Sequence, residues 1–188
     1  MNILIIYAHP SHQSFNAAIL KQIQNNLNSQ HHLKVLDLYA EKFDPVLIFD
    51  DQHRRRDLDK VAEMEAYRQL ISWADHLIFI FPIWWSGMPA ILKGFIDRVF
   101  ASGFAYSYKG KGMVGHLKGK TAWIISTHNT PSFFLPFVQD YGIVLKRQIL
   151  GMCGIKPCKR TSLPYLRASS AKQRQKMLEK IAKRARDI

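Results

Sequence analysis

The sequence predicts a doubly wound α/β fold, with a parallel five-stranded sheet in the order 2-1-3-4-5 and helices on both faces. Short apolar runs rich in Ile, Leu and Phe alternate along the chain with amphipathic segments. Such runs are typical of strands buried on both faces, and parallel strands need the crossover segments that lie between them. The 188 residues contain no internal repeat, so we expect a single domain over residues 1–188.

The central stretch, residues 75–102, shows this pattern most clearly. His76–Phe81 is an apolar run that predicts a strand, and Pro82 ends it. Pro89 then begins a helix at a position where its missing N–H costs nothing. Apolar side chains recur at helical spacing beyond it and indicate one buried face: Leu92, Phe95, Ile96, Val99 and Phe100.

The other elements follow in chain order. Strands are predicted at Asn2–Ala8, Leu33–Tyr39, Thr121–Ser126 and, at the sheet edge, Pro157–Leu163. Helices are predicted after Asn16 and at Lys60–Ala74, Gly142–Cys153 and Ser169–Arg186. Loops are expected at Lys42–Asp59, which holds a short apolar element, at Gly103–Gly119 and at Thr127–Tyr141. Five strands and five helices in this order are typical of a flavodoxin-like fold.

The formal net charge of +13 raises nucleic acid, an anionic membrane surface and acidic ligands as partner classes. Eight basic residues stand in residues 167–186 against the single acidic residue Glu179. We interpret this stretch as the solvated face of a helix, because four apolar residues supply a buried stripe: Leu178, Ile181, Ala182 and Ala185. A nucleic-acid partner is ranked low, since no recognised nucleic-acid motif is present.

The cysteine content and the apolar runs bear on the cellular setting. Cys153 and Cys158 make neither a disulfide framework nor a metal site. No apolar run reaches the roughly 18 residues that a membrane helix needs. Met1 leads directly into strand-like residues, without the basic region of a secretory signal. These observations predict a cytoplasmic protein without a metal centre.

Three loops follow the carboxyl ends of the first, third and fourth predicted strands: His9–Asn16, Pro82–Met88 and Thr127–Pro136. In a 2-1-3-4-5 sheet these strands are neighbours, so the loops converge on one crevice at the switch point of the topology. Ligands of open α/β sheets bind in that crevice. We therefore expect the functional site there.

The first loop offers polar side chains just before a helix. Ser11, His12, Ser14 and Asn16 can donate to a phosphate, and a helix start adds free N–H groups. Simple capping of the helix is the competing interpretation of Ser14 and Asn16. His9 is either a ligand contact or a satisfied core histidine. The glycine-rich phosphate motifs are absent from the sequence.

The other two loops supply flat surfaces and hydrogen-bonding groups. Trp84 and Trp85 are adjacent, so at least one of them is expected to line the pocket rather than the core. The third loop, THNTPSFF, supplies hydroxyl, imidazole and amide groups. Neither a nucleophile elbow nor a pair of carboxylates occurs in these loops. Stacking surfaces without an acid–base pair suit a cofactor that brings its own chemistry.

Four segments together carry a resemblance to a known family. They are YAHPSHQSFN, FPIWWSGMPAILKGFIDRVF, GFAYSY and LGMCGIKP. The first resembles the pattern AH-x-x-x-x-S-F-N, and the second closely matches FP-x-x-W-x-x-x-PA-x-LKG-x-x-x-RVF. On these segments the chain resembles the flavodoxin-like NAD(P)H:quinone oxidoreductases, which include the DT-diaphorase and drug-activity-modulator types. The resemblance extends over nearly the whole chain.

The resemblance implies a flavin-dependent NAD(P)H dehydrogenase (quinone). In the family mechanism, which is ping-pong, NAD(P)H passes a hydride to the flavin and leaves, and a quinone or similar acceptor then takes two electrons. The family also implies a homodimer, with Phe95 and Phe100 on a helix available for dimer contact. The alternative that the family offers is a flavin-binding accessory subunit of a membrane transporter.

The resemblance also assigns residues. Ser14, Phe15 and Asn16 would hold the phosphate end of the flavin, with His9 beside them. The isoalloxazine ring would be flanked by Pro82, Ile83, Trp84 and Trp85, and its polar edge would be met by Thr127, His128 and Asn129. Tyr106 and Tyr108 would reach into the substrate pocket of the partner subunit. Arg174 would contact the adenosine of FAD and favours FAD slightly over FMN, whereas the short chain favours FMN.

The third loop departs from the family pattern. Many members have T-T-G-G where this chain has Thr127-His128-Asn129-Thr130. Phe134 stands near the position of a tyrosine that mammalian members pair with a later histidine, and the sequence contains no histidine after His128. We therefore predict that His128 takes over the stabilisation of charge during hydride transfer, together with Tyr106 and Tyr108 as catalytic residues.

Overall fold

A computed structural model describes residues 1–50, 54–110, 112–134 and 142–188 of the protein. The strands are β1 (Asn2–Tyr7), β2 (His32–Asp37), β3 (His76–Pro82), β4 (Tyr106–Lys109), β5 (Gly112–Gly115), β6 (Thr121–Thr127) and β7 (Cys158–Leu163). Five of them form one parallel sheet in the order β2-β1-β3-β6-β7. This order is the predicted 2-1-3-4-5 order, and the predicted fold class is confirmed.

The helices cover both faces of this sheet. They are α1 (Phe15–Asn26), α2 (Glu65–Trp73), α3 (Ala90–Val99) and α4 (Ala171–Arg186). On one face Leu4, Phe79 and Ile124 pack with the apolar side chains of α2 and α3. On the other face Ile5, Ile78 and Trp123 pack with those of α1 and α4. Because successive side chains of each buried strand point to opposite faces of the sheet, they form two hydrophobic cores.

The helix ends follow the local sequence. Ser14 caps α1 by accepting a hydrogen bond from the backbone N–H of Ala17. α3 begins directly after Pro89, as predicted. α4 begins with a capping box, in which Ser170 accepts from the N–H of Gln173 and the Gln173 side chain accepts from the N–H of Ser170.

The predicted helix at Lys60–Ala74 is shorter in the structure. Two 3-10 segments, Arg55–Lys60 and Ala62–Met64, precede α2. Val61 adopts an extended backbone between them, and the buried guanidinium of Arg68 donates to the carbonyl oxygens of Leu58 and Val61. Tertiary hydrogen bonds to these carbonyls therefore replace the continuous helix that periodicity predicts.

Two further expectations differ from the structure. The predicted long surface loop at Gly103–Gly119 contains the antiparallel hairpin of β4 and β5, which pairs Tyr108 with Met113. The predicted helix at Gly142–Cys153 is a π-helix over Leu145–Leu150. Leu145 and Leu150 are both buried and lie five residues apart, which is the spacing of the i→i+5 hydrogen bonds of a π-helix. Part of the predicted loop Thr127–Tyr141 lies outside the described residues.

Within the described ranges, no helix has the length and apolar character that a bilayer crossing needs. The same residues contain no group of three or more His, Cys, Asp or Glu side chains placed to hold a metal ion.

Candidate functional site

The first loop leads from β1 into α1, where Ser14 sits at the helix start. Its hydroxyl accepts from the N–H of Ala17 at 3.1 Å and lies 3.3 Å from the hydroxyl of Tyr7. One Oγ atom therefore serves as a helix cap and as the neighbour of a buried phenol. The remaining N–H groups of the first turn of α1 face outward without intrahelical partners, as at any helix start. This geometry provides donors and positive potential for an anion.

Asn16 joins the first loop to the third. It is 2% exposed, and its Nδ2 donates to the hydroxyl of Thr127 at 2.9 Å. Its Oδ1 is also buried and has no hydrogen-bond partner among the described residues. A buried amide oxygen without a partner costs about 1–3 kcal/mol. The Asn16 side chain therefore joins the two loops through Nδ2, and its Oδ1 is left able to accept a further hydrogen bond.

The second loop is a tight turn over Trp84–Gly87. Trp84 and Gly87 exchange backbone hydrogen bonds of 2.9 and 3.0 Å, and the two central residues, Trp85 and Ser86, have φ angles of 49° and 61°. Two positive φ values define a type I′ turn, which normally selects Asn or Gly. Trp85 and Ser86 therefore occupy a backbone conformation that costs them energy.

The same turn separates the two tryptophans. Trp85 is fully exposed at the tip of the turn, whereas Trp84 is 43% exposed. The Trp84 ring packs against His9, with their centroids 6.2 Å apart. Both rings have large exposed areas, so neither tryptophan is a core residue, and the expectation that one of them lines a ligand pocket stays a prediction.

His9 lies on the wall of the first loop. Its Nδ1 is 3.0 Å from the backbone N–H of Ser11, which donates to it. Partial burial lowers the pKa of His9, and the backbone carbonyl of Ser11, 3.2 Å from Nδ1, opposes this shift. The lowered pKa favours the neutral ring at pH 7.

His128 lies at the edge between β6 and β7. It is 5% exposed, and its Nε2 is 2.7 Å from the hydroxyl of Ser162. Burial lowers the pKa of His128, although a backbone hydrogen bond with Thr130 opposes the shift and the charge of Arg160 adds to it. In this arrangement the ring is neutral near pH 7 and supplies hydrogen bonds rather than a positive charge.

The remaining polar residues lie around this edge. Asn129 accepts a hydrogen bond from the backbone N–H of Arg167 at 2.9 Å. Arg174, at the start of α4, donates to the backbone carbonyl of Ser169 at 2.8 Å. Pro82 ends β3, and the N–H of Ile83 donates to the carbonyl of Thr127 at 2.7 Å, which joins the second loop to the third.

Tyr106 and Tyr108 lie elsewhere, on β4 of the hairpin. Their rings meet edge to face with centroids 5.7 Å apart. Both line a groove of about 600 Å³ between the hairpin and α3, which also includes Phe100 and Met152. The structure thus brings together the predicted residues of the three loops, and it places the two tyrosines on a separate apolar surface of the same chain.

Sequence reasoning missed two residues that shape the site. Tyr7 approaches Ser14, and Ser162 contacts His128. The apolar run at Tyr7 predicts only a buried strand, and nothing local in the sequence indicates that Ser162 pairs with β6. The parallel register, which places Ser126 opposite Ser162, decides the second contact.

The fold is that of a doubly wound α/β protein, and the three loops meet at its topological switch point, where ligands of such sheets usually bind. Residues 1–187 match the protein family described as having a flavodoxin-like fold. The chain belongs to this family, which confirms the family-level expectation from the sequence.

Known proteins similar to this chain include a mouse enzyme, a fungal protein and a bacterial crystal structure. The ribosyldihydronicotinamide dehydrogenase [quinone] of Mus musculus is 31% identical, over 99% of this chain and 91% of that protein. The ribosyldihydronicotinamide dehydrogenase-like protein traD of Penicillium crustosum is 37% identical, over 68% of this chain and 57% of that protein. The crystal structure of Smu.1420 from Streptococcus mutans UA159 is 66% identical with a TM-score of 0.98, and all of each chain is covered. The chain spans 55% to 60% of the length of three curated relatives that it matches, the fungal protein among them.

Proposed function

We propose that the protein is a flavin-dependent NAD(P)H oxidoreductase that reduces quinones or similar acceptors by two electrons. The observation that carries the proposal is the joining of three loops at one edge of the sheet. Asn16 is bonded to Thr127, and Ile83 is bonded to the same strand end. The name of the mouse relative, a dehydrogenase that acts on quinone, supports the reaction class.

The residues at this edge fit a flavin. The start of α1 suits its phosphate, because unbonded N–H groups and the helix dipole favour an anion. The buried Oδ1 of Asn16 is an acceptor without a partner among the described residues, so a ligand donor would complete it. The fully exposed ring of Trp85 supplies a flat apolar surface on the second loop.

The roles of the residues follow from this fit. Ser14, Phe15 and Asn16 would bind the phosphate end, and Pro82 with Ile83 would border the ring. His128 and Asn129 would orient its polar edge by hydrogen bonds. A bound flavin supplies the two-electron chemistry between NAD(P)H and the acceptor, and the chain supplies position and electrostatics. The balanced reaction converts NAD(P)H, a proton and a quinone into NAD(P)⁺ and a hydroquinone, and we propose that nucleotide and acceptor occupy one pocket in turn.

The assembly and the setting belong to the same proposal. The groove lined by Tyr106, Tyr108 and Met152 is apolar and exposed, which supports a homodimer in which the tyrosines complete the partner's pocket. Cys153 and Cys158 are both buried and free, which suits a reduced cytoplasm. The preference for FAD over FMN stays a prediction, which rests on Arg174 and on the dimeric members of the family. The relatives reported above lend no support to the transporter-subunit alternative, which stays a prediction.

The first prediction tests the function directly. The purified protein should be yellow or should become yellow with added flavin, and it should oxidise NAD(P)H only when a quinone is present. One hydroquinone should form for each NAD(P)H consumed. Mass spectrometry of the released flavin identifies FAD or FMN. A protein that binds neither flavin contradicts the proposal, and a yellow protein without turnover would favour the accessory role.

The second prediction concerns the two tryptophans. Trp85→Asn should weaken flavin binding by about three- to tenfold, since ring stacking contributes roughly 0.5–1.5 kcal/mol. Asn tolerates the positive φ of this position, so the turn should be retained. Trp84→Asn is the matched variant and should weaken binding less than threefold, by about 0.6 kcal/mol. Quenching of flavin fluorescence measures the dissociation constants of both variants. A larger loss of flavin affinity in the Trp84 variant would show that Trp84, and not Trp85, stacks on the flavin.

A further inference from the structure

A second cavity lies at the opposite end of the sheet from the three loops. It has a volume of about 600 Å³ and lies between the last two turns of α4 and the amino-terminal ends of β3, β6 and β7. Volumes of 300–1,000 Å³ are usual for small-ligand sites. Since strands β3, β6 and β7 are parallel, their amino-terminal ends are separated from the site loops by the length of the sheet.

The rim of this cavity is strongly basic. Lys180, Lys183 and Arg184 lie at i, i+3 and i+4 on one face of α4, and Lys159 faces them from β7. Asp187 is the acidic side chain on the rim. Four side-chain cations therefore surround one side-chain carboxylate. None of the three lysines forms an ion pair with a described residue.

The ordinary role of basic residues at a helix end explains only part of this cluster. Lys183 and Arg184 stand in the last turn of α4, where cations offset the negative end of the helix dipole. Lys180 precedes that turn, and Lys159 belongs to a different element. Like charges that converge on one cavity repel each other, and a bound anion would relieve this repulsion.

The floor of the cavity consists of side chains that are held in place by contacts with the sheet. The Arg184 guanidinium lies 5.3 Å from the Trp123 ring centroid and donates to the hydroxyl of Thr161. His76 lines the cavity, is 8% exposed, and has its Nδ1 hydrogen-bonded to Thr121. Its Nε2 is buried and has no hydrogen-bond partner among the described residues.

The electrostatic environment of His76 agrees with this picture. Burial, followed by the positive charges of Lys159 and His31, lowers the pKa of His76 to about 4. A ring that is neutral at pH 7 can donate one hydrogen bond from Nε2 when the Thr121 hydroxyl donates to Nδ1. The cavity thus combines a fixed arginine, three unpaired lysines and a buried imidazole nitrogen.

We propose that this cavity is a second ligand site, for a small molecule that carries two or more phosphate groups. Multiple phosphates match several cations around one space, which a single carboxylate ligand would not. The proposal is independent of the flavin site, because the two sites share no residue. A bound polyphosphate would neutralise the rim and hold the end of α4 against the sheet.

The test uses pyrophosphate and ADP as probes in calorimetric titrations of the full chain. We expect saturable binding of pyrophosphate with a stoichiometry of one. The double variant Lys159→Gln/Lys183→Gln should weaken it at least about tenfold. The matched control is Lys172→Gln/Lys176→Gln, which removes the same charge from exposed positions of α4 outside the cavity. The control should change the affinity less than twofold.

The probes and a second readout separate the outcomes. ADP binding that is tighter than pyrophosphate binding and equally sensitive to the cavity variant would identify a nucleotide ligand, and equal binding would identify the polyphosphate alone. Pyrophosphate should also shift the His76 ring resonances in NMR spectra, with those of His9 and His128, at the other end of the sheet, unaffected. Absence of saturable binding, or equal losses in the cavity and control variants, would overturn the proposal.

Discussion

Gly94→Ala should destabilise the protein by about 2–3 kcal/mol, which corresponds to a fall of roughly 5–10 °C in Tm. Gly94 lies in the middle of α3, where the segment after β2 crosses the helix. A Cβ atom at this position would stand 2.2 Å from the carbonyl oxygen of Pro45 and 2.4 Å from its Cα. Both atoms belong to backbone, so a side-chain rotation cannot relieve the clash.

Two opposing effects meet at Gly94. Alanine favours a helix over glycine by about 1 kcal/mol, which would stabilise α3 in isolation. The clash requires the crossing segment to move, and that segment is fixed by Phe43, whose ring packs 5.4 Å from Phe95, and by a 2.6 Å bond from Arg98 to the Asp44 carbonyl. We expect the packing loss to exceed the gain in propensity.

Urea unfolding of the variant and the wild type measures this effect. Gly112→Ala is the matched control, since a Cβ there would meet only the Lys109 carbonyl oxygen at an ordinary 3.7 Å. The control should change the free energy of unfolding by less than about 0.5 kcal/mol. A Gly94 variant as stable as the wild type would show that the crossing segment does not lie against α3 in solution.

Ser14→Asp should distinguish the two roles of Ser14, as the N-cap of α1 and as a ligand of the flavin phosphate. Aspartate is as good an N-cap as serine, and its charge favours the helix start. The apo protein should therefore keep its stability or gain up to about 1 kcal/mol. Flavin affinity should nevertheless fall by about two orders of magnitude, because the new carboxylate would repel a phosphate at the same helix start by roughly 3 kcal/mol.

Ser14→Ala supplies the contrast. Loss of the hydroxyl removes the hydrogen bonds to the N–H of Ala17 and to Tyr7, and should lower the stability by about 1 kcal/mol. It introduces no charge, so flavin affinity should change only a few-fold. Thermal unfolding of the apo protein and titration with FMN and FAD give both quantities. If the aspartate variant binds flavin like the wild type, Ser14 is a helix cap and the phosphate lies elsewhere.

Loops that end neighbouring parallel strands can be grouped from sequence alone. The apolar runs of β1, β3 and β6 identify the strands, their alternation with helices predicts a parallel sheet, and five such units fit the 2-1-3-4-5 order of a flavodoxin-like fold. This order predicts that the loops with Ser14, Asn16, Ile83 and Thr127 share one edge, and the bonds between these loops confirm that they meet. Their roles toward a flavin stay predictions.

Other features depend on contacts that local patterns do not contain. Trp84 and Trp85 are two identical residues side by side in the sequence. In the structure, the turn with its positive φ angles places the Trp84 ring against His9 and leaves the Trp85 ring fully exposed. The stretch around Tyr106 is rich in glycine and lysine, which favours a loop in the sequence, whereas the structure forms the hairpin of β4 and β5. The π-helix and the 3-10 segments before α2 likewise depend on buried tertiary partners.

The sequence by itself therefore determined the fold, the family resemblance and the edge of the sheet at which the candidate site lies. Local periodicity of apolar residues is enough to identify buried strands and the loops that follow them. Only the tertiary structure decided that His128 is buried against Ser162 and that Asn16 keeps an unpaired acceptor. It alone brought Lys159 beside the basic face of α4. These arrangements depend on strand register and helix packing between residues far apart in the chain, and such distances are set by the whole core rather than by neighbouring residues.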